Sequence, residues 1–99
     1  MKIDGRTENG VLIVSLEGRI DMDSSPAISE FLENNISGVL SVDLDFSDVA
    51  YISSAGLRIM LWLNKRGGQR KDYIVIRNMR DPVRAVFDIT GISDIVTIV

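Results

Sequence analysis

The run "SDVAYISSAGLRIMLWLNKRGG", Ser47 to Gly68, decides how the rest of the chain is read. It passes from a mixed segment through two hydroxyls, an alanine and a glycine into a stretch that is apolar at almost every position. Residues 54–66 read as a helix, closed by Gly67 and Gly68, because glycine takes up the left-handed conformation that ends helices at little cost. Ahead of it, "VLSVDLDFSDV" alternates, with Leu40, Val42, Leu44 and Phe46 apolar and Ser41, Asp43, Asp45 and Ser47 polar. That is the period of a strand with one covered face. A strand that runs through small residues into a helix is half of a crossover unit.

Reading outward, the same unit recurs. "GVLIVSLEG", Gly10 to Gly18, is a short β-branched run between glycines and reads as a strand, preceded by a weaker edge segment at Lys2 to Arg6. "SPAISEFLENNISG", Ser25 to Gly38, carries helix punctuation together with the serine before it: Ser24 or Ser25 as N-cap, Pro26 in the first turn and Gly38 past the end. Ile28, Phe31, Leu32 and Ile36 then share one stripe. "DYIVIRN", Asp72 to Asn78, is another strand. Asp81 and Pro82 open a helix with the stripe Val83, Val86 and Phe87 and a stop at Gly91, and "DIVTIV" closes the chain as a last strand. Strands alternating with helices of about a dozen residues give an α/β fold, a mixed and mostly parallel sheet with helices packed on it. Residues 1–99 are read as a single domain. In such sheets functional residues gather in loops leaving the carboxyl ends of strands, here Ser53 with Ser54 and the loop from Gly18 to Ser25.

Composition narrows the chemistry. With 45% hydrophobic and 25% charged residues among 99, the chain has the makeup of a folding globular domain. Net charge is −3 and the pI near 4.8, so neither a nucleic-acid backbone nor an anionic membrane is an expected partner. The basic run "NKRGGQRK", Asn64 to Lys71, falls at a helix end, where cations suit the dipole. The absence of cysteine and histidine excludes disulfides, thiolate catalysis, histidine bases and the common zinc sites. No cofactor is expected, since "RGGQRK" is neither a P-loop nor a dinucleotide fingerprint. No apolar run reaches the ~20 residues that span a bilayer, and the expected location is the cytoplasm.

Two roles are open to the paired serines. A helix starting at Ser54 has first-turn N–H groups without intrahelical acceptors, where a phosphate is stabilised by up to ~2 kcal/mol. Alternatively, Ser53 and Ser54 merely cap the helix, and Ala55 and Gly56 are small for close packing. Leu57, Ile59, Met60, Leu61, Trp62 and Leu63 surround most of that helix, whereas packing on a sheet needs one stripe. An exposed apolar patch marked by Trp62 is therefore expected. Asp43, Asp45, Asp48, Asp21 and Asp23 offer carboxylates for acid–base or magnesium chemistry, but the alternation puts Asp43 and Asp45 on a solvated strand face. No metal site is assigned.

The run "DVAYISSAGLRIML" resembles the signature of the STAS domain as found in bacterial anti-sigma factor antagonists, in which a strand enters a helix through small hydroxyl residues and Gly-Leu. The segment from Leu16 to Leu32, which opens "LEGRIDM" and runs into the first helix, is similar to that family's Gly-x-hydrophobic-Asp segment. "VLSVDLDFSDV" is similar to its preceding strand, and "DPVRAVFDITGISDIVTIV" to its closing helix and strand. The four pieces occur in order across essentially the whole chain.

The resemblance implies a binding module rather than an enzyme: an antagonist that captures an anti-sigma factor, itself often a serine kinase, and so frees a sigma factor. It implies inactivation by phosphorylation of one serine, reversed by a PP2C-type phosphatase. By position the acceptor is Ser54, with Ser53 the alternative because it stands where many members have Asp. Asp21 matches the family's acidic residue beside the acceptor. Asp23, Ser53, Ser54, Gly56, Leu57 and Arg58 complete the expected partner surface, and the free protein is expected to be a monomer. Two other readings fit the same residues: an unmodified STAS scaffold or sensor subunit, and a small-ligand or nucleotide binder using the same loop.

Overall fold

The computed structural model describes all residues 1–99 as β1 (Lys2–Glu8), β2 (Val11–Ile20), α1 (Ser25–Asn35), β3 (Ser41–Ile52), α2 (Ser54–Arg66), β4 (Ile74–Arg77), α3 (Asp81–Thr90) and β5 (Thr97–Ile98). Single 3-10 turns at Lys71–Tyr73 and Ile92–Asp94 lead toward β4 and β5. The strands lie in sequence order in one five-stranded sheet; β1 is antiparallel to β2, and the other pairs are parallel. Each of the three crossovers therefore advances one strand in the same direction. Right-handed connection puts all three helices on one face of the sheet.

That one-sidedness is written in the strands. Leu12, Val14 and Leu16 of β2, Val42, Leu44 and Phe46 of β3, and Ile74 and Ile76 of β4 are buried. Their neighbours Asp43, Asp45, Val75 and Arg77 are paired in register on the opposite, open face. A parallel sheet covered on both sides would show unbroken apolar runs instead. On the open face the Arg77 guanidinium holds the Asp43 carboxylate at 2.8 Å, and Asn78 donates to Asp45 at 3.2 Å. Asp45 is also held below the ordinary carboxylate range, chiefly by the Ser47 N–H. The helices supply the other half of the core: Ile28 and Leu32 from α1, Ile59, Met60 and Leu63 from α2, Val83 and Phe87 from α3. Phe46 and Phe87 meet edge to face at the centre, centroids 6.1 Å apart.

Several expected boundaries move. β1 runs on to Glu8, β2 to Ile20 and β3 to Ile52, and β4 is confined to Ile74–Arg77 because Lys71–Tyr73 forms a 3-10 turn. The closing segment is mostly not strand: Asp94 lies in a 3-10 turn, and only Thr97 and Ile98 pair with β4. No helix is long and apolar enough to cross a membrane.

Candidate functional site

β2 and β3 end side by side. Ile20 pairs with Ile52, and the Ser53 N–H donates to the Ile20 carbonyl at 2.8 Å. The chain thus leaves β2 into the Asp21–Ser24 loop beside the point where β3 turns into α2. Ser53 has extended backbone, and its hydroxyl oxygen accepts from the Ala55 N–H at 3.2 Å, which makes it the N-cap of α2. It is half-buried. Ser54, the first residue of the helix, is exposed, and no group of the chain engages its hydroxyl. The two adjacent hydroxyls have separate situations: one is consumed by the cap and one faces solvent.

The neighbouring loop is built on Asp21. One of its carboxylate oxygens accepts from the N–H groups of both Asp23 and Ser24, each at 3.0 Å. The Ser24 hydroxyl accepts from the Asp21 N–H at 3.0 Å and donates to the Arg19 carbonyl at 2.7 Å. Of the two expected candidates Ser24 is the N-cap residue of α1, but its side chain makes no capping bond and turns back to tie the loop to β2. The Ser24 N–H does most to hold the Asp21 carboxyl below its ordinary range, against the opposing pull of desolvation, with further help from the Asp23 N–H, the Ser24 hydroxyl and the Arg19 charge. Asp21 is therefore an anion at neutral pH. Met1, Gly18, Arg19, Asp21, Asp23 and Ser24 line an open groove alongside.

The remaining expected site residues divide. Arg58 is exposed one turn into α2, and Leu57 is half-buried against the core. Gly56 is corrected outright. It is buried, and a Cβ there would lie 2.6 Å from both Ile20 and Ile52, so its smallness lets α2 sit down on the ends of β2 and β3 instead of meeting a partner. The patch expected at Trp62 is also corrected. Trp62 is half-buried against the core, and the exposed apolar member of α2 is Leu61.

Sequence reasoning missed three residues here. Met22, 78% exposed, stands at the tip of the loop between Asp21 and Asp23. The Arg19 guanidinium lies 4.2 Å from the centroid of the Tyr51 ring, and these two are paired in register at the ends of β2 and β3. Met22 was legible as an apolar residue in a polar loop. The Arg19–Tyr51 pair was not, since two register shifts separate it from the regular alternation upstream.

The site offers a free primary hydroxyl at a helix start, a fixed carboxylate in the adjacent loop and an exposed guanidinium one turn on. No hydrogen-bonded base activates the Ser54 oxygen, as an attacking serine requires. Among known proteins, the family described as "Mlab, STAS domain" matches residues 4–97. The anti-sigma-B factor antagonist of Listeria monocytogenes is 30% identical over 86 residues, covering 86% of this chain and 75% of that one. The solved structure of the anti-sigma factor antagonist SpoIIAA in its unphosphorylated form superposes with a TM-score of 0.83 at 16% identity, covering 99% of this chain and 88% of that one. The phosphorylated form of the Bacillus cell fate determinant SpoIIAA gives a TM-score of 0.74 at 15% identity, covering 99% and 91%. At these identities the two structures bear on the fold.

Proposed function

Because the chain belongs to the STAS domain family, we propose that it works as an anti-sigma factor antagonist whose hold on its partner is switched off by phosphorylation of Ser54. It acts as a binding module and kinase substrate, with no catalysis of its own. The unmodified protein docks on an anti-sigma factor through the Asp21–Ser24 loop and the exposed residues opening α2, Ser54 and Arg58, with Leu57 beneath them. The kinase is that partner, a PP2C-type phosphatase reverses the modification, and the exchange takes place in the cytoplasm on a protein that is monomeric when free. Relatives named for the same role support this reading.

The observation that carries it is the division of labour between the serines. Ser53 already supplies the cap through the Ala55 N–H, so the Ser54 hydroxyl is free to be modified without loss to the fold. A phosphate at Ser54 adds about −1.5 to −2 charges to a rim that already carries Asp21 and Asp23. A resulting loss of about 2.7 kcal/mol in docking weakens binding about a hundredfold.

Peptide mass spectrometry after incubation with ATP and extract of the native cells tests the reading, with Ser54→Ala in parallel. The expected result is one phosphate on Ser54, absent from the variant. A phosphate on Ser53 would reverse the assignment of cap and acceptor. None at all, in an extract that phosphorylates other proteins, would leave an unmodified STAS scaffold. Ser54→Asp is expected to weaken capture of the anti-sigma factor, and Ser54→Ala to keep it permanently competent.

A further inference from the structure

We infer that Arg58 is the internal counter-ion of a phosphate on Ser54, so that modification both adds negative charge to the docking rim and withdraws from it an exposed, unpaired guanidinium. This deepens the Ser54 reading above and rests on it. Ser54 and Arg58 are both exposed and stand one helical turn apart on α2. At that i, i+4 spacing Cβ atoms are about 5–6 Å apart, and the anion lies on the N-terminal side of the cation, the favoured order. A guanidinium also matches phosphate oxygens through paired N–H groups.

Arg58 is available because nothing else claims it. Arg6, Arg19, Arg77, Arg80 and Arg84 are each ion-paired with a carboxylate. Arg70 is bound to the carbonyls of Gly67 and Leu40, and Arg66 lies at the far end of α2. No acidic residue occurs in α2. Arg19, the arginine at the end of β2, is held between Asp21 at 3.9 Å and the face of Tyr51. A phosphate added beside Asp21 and Asp23 meets two like charges, and Arg58 is the side chain free to offset them.

The consequence is a two-sided switch. In the unmodified protein Arg58 projects from the rim and can pair with an acidic group of the partner. After phosphorylation it folds toward Ser54 and that contact is lost. The exchange needs no movement of the backbone.

The test installs phosphoserine at position 54 during translation, so that no kinase is needed, and follows the second ionisation of the phosphate by ³¹P NMR. Asp21, Asp23, Arg19, the Met1 ammonium group of the same groove and the first-turn N–H groups are the same in all variants. Replacing Arg58→Gln is expected to raise its pKa by about 0.3–0.5 units, with Arg58→Lys in between. An unchanged pKa in Arg58→Gln overturns the inference. Arg58 is exposed and none of the structure's hydrogen bonds depends on it, so the variants fold. Failure of cell extract to phosphorylate Ser54 would sink the kinase switch while leaving this titration readable.

Discussion

At the scale of single residues, the two adjacent serines carry opposite predictions. Ser53→Ala removes the oxygen that accepts the Ala55 N–H, and loss of such a cap costs about 0.5–2 kcal/mol. Ser54→Ala removes a hydroxyl bound to nothing in the chain and is expected to leave stability within about 0.5 kcal/mol of the parent. Thermal unfolding of both variants checks the pair; equal losses would mean that the serines share the cap. Asp21 adds a pH dependence. Its folded-state pKa lies below the ordinary 3.8, so its contribution is present above that value and is lost as pH falls through the lower folded value. Asp45 and Asp88 are depressed as well, Asp88 chiefly by the Ser93 hydroxyl, and act in the same direction. The protein is thus expected to lose stability as pH drops below 3.8, and carboxyl titration by NMR should place the Asp21 midpoint under that figure.

At the scale of elements, the seat of α2 depends on Gly56. Alanine normally favours a helix over glycine by about 1 kcal/mol. Here a Cβ would stand 2.6 Å from Ile20 and Ile52, and overpacking of that kind costs about 1–3 kcal/mol. The clash wins. Gly56→Ala is therefore expected to lower the midpoint of urea unfolding despite the better helix former, and a rise would show that α2 can lift off the sheet freely. Much of the element pattern was legible: the alternation from Leu40 to Phe46, the Gly67–Gly68 stop of α2, and the stop of α3 at Gly91, which takes φ +81°. The end of β3 was less so. Two register shifts against β2 change the buried spacing there from every second residue to every third, through Phe46, Val49 and Ile52. Extra residues in a paired strand re-aim all that follow, and no local preference announces where they fall.

At the scale of the whole molecule, stability rests on one sheet face and the helices laid across it. Phe87 of α3 is fully buried against Phe46 of β3, and truncating such a ring costs about 3–5 kcal/mol. Against a typical total of about 5–15 kcal/mol, Phe87→Ala is expected to remove a large share of the stability, read as a fall in urea midpoint. Global destabilisation of that kind would reduce partner binding without touching the Ser54 site, which sets it apart from Ser54→Asp, whose fold should remain intact.

The sequence alone determined the order of strands and helices, the one-sided sheet implied by the alternation of β3, and the family resemblance that singled out Ser54 and Asp21. These signals are local, set within a helical turn or between nearest neighbours along a strand. Tertiary structure decided which serine is consumed by a cap and that Gly56 is buried packing. It also turned Trp62 toward the core, left Leu61 outside, and brought Arg19 onto Tyr51. Each of those outcomes depends on what residues distant in sequence press against the group, and that contact exists only after three same-handed crossovers have laid the helices on one face of the sheet.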